Sequence, residues 1–157
     1  RWLAAVTVLL VALSVHRAWV WSSEERLWSE AVERAPRKIR PRIQLARAVG
    51  GERAVQLLAE ARALAPEDPN IPAELGRLYL ESGRPDRALA EFGKALALAP
   101  NNPKALNNRG TALAALGQRE AAVADFHRAL DRDPCLSEAR LNLRRLGANR
   151  PAPATCR

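Results

Sequence analysis

Residues 69–102 read PNIPAELGRLYLESGRPDRALAEFGKALALAPNN, and residues 103–136 read PKALNNRGTALAALGQREAAVADFHRALDRDPCL. Laid over one another, the two stretches share Gly76 with Gly110, Ala88 with Ala122, Phe92 with Phe126 and Pro100 with Pro134. Working outward, a bulky residue, an Ala three later and a Pro five after that recur as Trp28-Ala31-Pro36 and Leu58-Ala61-Pro66. Successive copies are offset by 30, 34 and 34 residues. A fixed period in this range marks stacked supersecondary units. Each Pro closes a helix, because it lacks a donor and clashes with the preceding turn. Upstream of Pro100, Ala88, Leu89, Phe92, Ala95, Leu96 and Leu98 fall three or four apart and form one buried helical stripe. The spacing predicts a helix over 71–81, a break at Ser82-Gly83 and a second helix over 85–98 that opens on Pro85. Gly117 is the corresponding break in the next unit.

The rest of the chain is organised around these units of 69–102 and 103–136. Aligning Leu45-Ala46 with Leu75-Gly76, and Ala54 with Ala88, yields a shortened unit over 39–68 with Gly50-Gly51 as its break. Before it, 22–38 is a half unit, with Ser22 or Ser23 as N-cap and Glu24 and Glu25 in the first turn. After the repeats, 137–147 is a cap helix and 148–157, with Pro151 and Pro153, an irregular tail. The expectation is an all-α helix-turn-helix solenoid over 22–147, preceded by one transmembrane helix over 1–21.

Composition agrees with helices. Apolar residues make up 48% and aromatics only 4%, and Ala and Leu carry the apolar share in a background of Arg and Glu. Runs rich in Val, Ile, Thr and Tyr are missing after residue 20, which argues against a sandwich or barrel. Two Cys are too few for a disulfide-built mini-domain or a four-ligand zinc site, and nothing in the chain calls for a cofactor or metal. The net charge of +8 divides as +3 over 1–68, +1 over 69–136 and +4 over 137–157. A nucleic-acid binder more often carries a continuous basic face with interleaved aromatics, so nucleic acid is not an expected partner. The chain opens on Arg1 and has no Met, so a start further upstream is expected.

Trp2 to Val15 reads WLAAVTVLLVALSV, and Trp19 and Trp21 follow. As a helix, residues 2–21 span about 30 Å, the thickness of a bilayer's hydrocarbon core. Trp2 at one end, and Trp19 and Trp21 at the other, suit the two interfacial belts, with Arg17 reaching outward. A buried core helix and a signal peptide with Ala12 and Ser14 as its small residues are the alternatives. Arg34, Arg37, Lys38, Arg40 and Arg42 follow closely, which by the positive-inside bias favours cytoplasmic repeats.

Leu75-Gly76, Tyr79, Ala88, Phe92 and Pro100 match the tetratricopeptide repeat pattern, and the unit 69–102 resembles that family. So does the next unit, through Leu106, Gly110, Leu113, Ala122, Phe126 and Pro134, departing only at Arg109 where Leu is usual. In the aligned first helices a polar stripe recurs: Gln44, Glu74, Asn108 and Asn142, with Arg47, Arg77, Thr111 and Arg145 three residues on, on the same helical face. The resemblance implies that first helices line a concave groove, where Asn resembles the asparagine ladder of members that clamp a peptide backbone. Asn supplies both a donor and an acceptor, and the three Arg add a preference for an acidic segment. A merely solvated face is the alternative. So short a groove implies micromolar affinity, about −8 kcal/mol. The apolar segment followed by Arg17, Trp19, Glu25, Leu27 and Trp28 and then by repeats also resembles the junction in membrane-bound tetratricopeptide-repeat O-mannosyltransferases. That resemblance implies repeats on the extracytoplasmic face.

No catalytic constellation emerges. His16 and His127 are isolated, Asp131-Arg132-Asp133 closes a repeat helix, and Gly50-Gly51 is a helix–helix turn rather than a phosphate loop. These residues therefore read as non-enzymatic. Cys135 and Cys156 lie 21 residues apart. The cap helix carries the chain about 15 Å away, and the residues after it can span up to about 33 Å. The thiols can therefore meet, which in an oxidising compartment contributes on the order of 3 kcal/mol. Two unrelated cysteines are the alternative. The expected function is a membrane-tethered scaffold that binds a protein or extended peptide, with the substrate-presenting domain of a membrane glycosyltransferase as the alternative.

Overall fold

The structure is a computed structural model, and it describes residues 23–156 together with Val6, Leu10, residues 12–16 and Trp19. The described residues form helices joined by short turns, with no strand among them. They divide at Ala65–Pro66 into two compact units.

The first unit holds α1 (Glu24–Arg34), α2 (Ile39–Val49) and α3 (Gly51–Leu64). Ser23 caps α1, its Oγ accepting from the Arg26 backbone N–H at 3.2 Å. Gly50, at φ 64°, closes α2 and opens α3 as a single hinge residue, so this pair needs fewer residues than the others. Ile43, Leu45 and Ala46 on α2, and Ala54, Leu58 and Ala61 on α3, are its buried apolar residues. Ion pairs between its helices include Arg42 with Glu60 at 3.2 Å and Arg53 with Glu25 at 2.7 Å. The Arg26 guanidinium lies 4.2 Å from the ring centroid of Trp19.

The second unit holds α4 (Asn70–Glu81), α5 (Pro85–Leu98), α6 (Pro103–Ala115), α7 (Arg119–Arg132) and α8 (Ser137–Arg145). α4 packs on α5 and α6 on α7 as hairpins, and α5–α6 and α7–α8 contacts stack them. Each hairpin turns on a glycine in the left-handed region, Gly83 at φ 68° and Gly117 at φ 75°. There the Arg84 N–H reaches back to the Tyr79 carbonyl at 2.8 Å, and the Gln118 N–H to the Leu113 carbonyl at 2.9 Å. Asn102 caps α6, its Oδ1 accepting from Lys104 N–H at 3.1 Å and Ala105 N–H at 3.2 Å.

The repeated Gly and Phe meet inside each hairpin. Phe92 and Phe126 are fully buried, and a Cβ placed on Gly76 or Gly110 would sit 2.7 Å from a ring carbon of Phe92 or Phe126 respectively. Only a side chain of hydrogen lets the first helix lie flat on the phenyl ring. From there the core runs through Leu96, Leu106, Leu113, Leu130, Leu136 and Leu143.

No helix among the described residues is long and apolar enough to cross a membrane. Most of the expected span over 1–21 lies outside the described residues; Val6, Leu10, residues 12–16 and Trp19 are helical.

Replacing Gly76 or Gly110 by Ala adds about 1 kcal/mol of helix propensity but overpacks a fixed ring at a cost of about 1–3 kcal/mol. We expect a net loss of about 1 kcal/mol in urea unfolding. In the double variant Gly110→Ala/Phe126→Leu the Gly change should cost less than it does alone, and equal costs in both backgrounds would refute ring contact as the cause.

Candidate peptide-binding face

The first helices of successive hairpins touch one another, α4 against α6 and α6 against α8. They bring the expected stripe onto neighbouring helices: Glu74 and Arg77 on α4, Asn108 and Thr111 on α6, Asn142 and Arg145 on α8. The Asn142 amide Nδ2 donates to Asn107 Oδ1 at 3.1 Å and to Thr111 Oγ1 at 3.4 Å. Asn107 Nδ2 in turn donates to Asn108 Oδ1 at 3.2 Å, and the Thr111 hydroxyl to the Asn107 carbonyl at 3.1 Å. Both N–H groups of Asn142 are therefore spent on α6, leaving its Oδ1 as the acceptor it presents. Asn108 keeps its two N–H groups. The half-buried pair presents one acceptor and one double donor, which matches the alternating N–H and C=O of an extended backbone.

The charged members behave differently from the expectation that all three Arg favour carboxylates. Arg77 donates to Glu74 at 2.9 Å and also pairs with Glu81. Burial pulls its pKa down, and the hydrogen bonds and charges of those two carboxylates more than offset this, so its pKa is raised. The α4 end of the face is thus already neutralised by its own acids, because Glu74 and Glu81 sit one turn to either side of Arg77. Arg145 is exposed and has no ion-pair partner among the described residues. The basic character of the face lies at its α8 end. Gln44 and Arg47 belong to the other unit, where Arg47 Nη1 approaches Gln44 Oε1 at 3.5 Å.

Two features escaped the sequence reading. Asn107 is buried and is the centre of the network, yet its position next to Asn108 put it off the chosen stripe. Arg109 stands where Leu75 stands in the preceding hairpin, and it forms a two-pronged ion pair with Asp125 on α7, at 2.6 and 2.8 Å. Asp125 is almost wholly buried and also receives Arg128 at 3.4 Å. Hydrogen bonding to Asp125 raises the Arg109 pKa against the opposing pull of burial. The signal was present: the one departure from the repeat pattern, Arg109, coincides with an acid, Asp125, 16 residues on.

A tetratricopeptide repeat family profile matches residues 73–137. Over that stretch the chain is similar to the tetratricopeptide repeat family. No curated protein sequence matches the chain. Among solved structures, the first such domain of Spaghetti (RPAP3), bound to the HSP90 peptide SRMEEVD, is similar at 27% identity and a TM-score of 0.59, covering 61% of this chain and 76% of that one. The second tetratricopeptide domain of human RPAP3, in complex with the HSP70 peptide SGPTIEEVD, is similar at 26% and 0.58, covering 62% and 82%. A thermophilic tetratricopeptide protein of Thermus thermophilus shares the fold at 22% and 0.66, covering 76% and 69%.

Replacing Asp125 by Ala strands the half-buried Arg109 between α6 and α7 and should cost about 2–3 kcal/mol. Arg109→Leu/Asp125→Ala, which copies the Leu75 position, should recover about half of that loss. Chemical denaturation of the three variants completes the cycle, and a single-variant loss below about 0.5 kcal/mol would remove the pair from the list of structural supports.

Proposed function

We propose that the second unit binds an extended peptide across α4, α6 and α8, and that the peptide's acidic end lies towards α8. The observation that carries this is the Asn142–Asn107–Asn108–Thr111 network, which fixes one acceptor and one double donor on adjacent first helices. Rigid polar groups held by their neighbours lose little entropy when a ligand arrives. The similar RPAP3 domains, whose structures hold peptides ending in EEVD, support the reading. Orientation follows from charge: Arg77 is satisfied by its own carboxylates, and Arg145 is not. Nothing in this chemistry transforms a ligand, so the reading is that of a protein-interaction scaffold.

Membrane tethering through residues 2–21 is proposed with it. Val6, Leu10, Leu13, Val15 and Trp19 are helical and exposed, a run of large apolar side chains that water does not favour. Placement of the repeats on the extracytoplasmic side draws support from Cys135 and Cys156, which are disulfide-bonded, with their Cα atoms 5.3 Å apart. The O-mannosyltransferase-like parent rests on the order of segments alone, and no described residue adds to it.

Peptide binding is tested by fluorescence anisotropy with labelled SRMEEVD and with the same peptide bearing Gln and Asn for its acids. We expect a Kd of about 1–10 μM for the acidic form. Asn108→Ala and Arg145→Ala should each weaken it about tenfold, and the exposed Arg132→Ala should not. Equal binding of both peptides, or no difference among the variants, refutes the assignment. Tethering is tested by removing residues 1–21: both forms fractionating without detergent would refute it. Side is tested by thiol labelling after export, and two labelled cysteines per chain would count against the extracytoplasmic placement.

A further inference from the structure

The C-terminal tail does not hang free. After α8 the chain turns at Gly147 and runs back towards α7. There Arg150 Nη1 donates to the His127 carbonyl at 3.2 Å and to Asp131 Oδ1 at 2.7 Å. The Cys135–Cys156 bond fastens the far end of the same segment to the residues that precede α8. Between the tail and α8 this leaves a cavity of about 190 Å³, lined by Ser137, Arg140 and Arg144 from the helix side and by Asn149, Arg150 and Pro151 from the tail. At about 30 Å³ of liquid volume per water, this is room for a small ion with several waters.

The lining is one-sided in charge. It holds three guanidiniums and no carboxylate. The acids at its margins are Asp131, which takes one N–H of Arg150, and Glu138, which accepts from the Ser137 hydroxyl at 3.2 Å. Arg140 donates through Nη1 to the Pro134 carbonyl and through Nη2 to the Cys135 carbonyl, which fixes its plane and leaves Nε–H and one N–H on each Nη. Arg150 keeps Nε and Nη2, and Arg144 has no partner among the described residues. Two held forks, Arg140 and Arg150, and the unpaired Arg144 thus line one cavity from two walls. A planar carboxylate satisfies a single fork face to face, whereas a tetrahedral oxyanion offers oxygens in several directions at once. The lining itself therefore carries three positive charges and no negative one.

We infer that this cavity is a binding site for a small tetrahedral oxyanion of the phosphate class, assembled only when the disulfide holds the tail in place. The site is separate from the peptide-binding face: it uses the tail with Arg140 and Arg144, and none of Asn107, Asn108, Thr111 or Asn142. The tail supplies one of its two walls, so the Cys135–Cys156 bond acts as a structural condition for binding rather than as a participant in it.

Isothermal titration of the full 157-residue chain with inorganic phosphate, at fixed ionic strength, is the direct test. Saturable binding at about millimolar Kd or tighter is expected, weakened about tenfold in Arg144→Ala. It should be lost in Cys135→Ser/Cys156→Ser, with circular dichroism showing that the helices remain. Arg87→Ala removes the same charge elsewhere in the unit and should leave binding unchanged, as should Asn108→Ala. O-phosphoserine distinguishes the source: tighter binding than phosphate points to a phosphoryl group carried on a chain, and equal or weaker binding to the free ion. Absence of saturable binding, an equal response to acetate, or full binding by the serine double variant overturns the inference.

Discussion

The contact of a phenyl ring on a glycine organises the second unit. Phe92 against Gly76 and Phe126 against Gly110 recur with the same geometry, each closing a hairpin at a distance no other residue permits. Because the ring is buried on every side, the helices of a pair are held in one register. That register brings Ala88 and Ala122 into the contact, and it sets which faces remain for the next hairpin. The stacking of α6 on α5, and of α8 on α7, follows from the apolar residues left over once the ring is covered.

With the core so fixed, the first helices carry the polar work. Side chains that face away from the phenyl ring meet their counterparts on the next first helix, and in α6 and α8 those counterparts are amides and a hydroxyl. A network of this kind holds its members in place and leaves specific donors and acceptors outward. At α4 the same positions are occupied by Glu74 and Arg77, which satisfy one another. The face is therefore graded along its length, self-paired at α4, amide-rich at α6 and basic at α8.

The basic end continues around α8 into the tail. Residues 137–157 carry a charge of +4, and the fold gathers Arg140, Arg144 and Arg150 around one cavity instead of dispersing them in solvent. Like charges so close repel, and the structure offsets this with Asp131, with backbone carbonyls and with a covalent bond that makes the tail's approach cheap in entropy.

Helix type, order and turns were legible in the sequence because they rest on local physics. Pro stops, Gly83 and Gly117 at positive φ, and apolar residues three and four apart act within a few residues of themselves. The 34-residue spacing of Phe92 and Phe126 likewise carried the pairing of helices, since it repeats a contact already implied within one unit. The stripe of Asn108, Thr111, Asn142 and Arg145 was legible as a face, but its chemistry was not. Which amide donates to which, and that Arg77 is consumed by Glu74 and Glu81, depend on rotamers and neighbours fixed only by packing. Asn107 and the Arg109–Asp125 pair were decided in the same way, by two helices brought together across a turn. For Cys135 and Cys156 the chain length allowed a meeting, and only the fold-back of the tail over α8 made it, and with it the arginine-lined cavity.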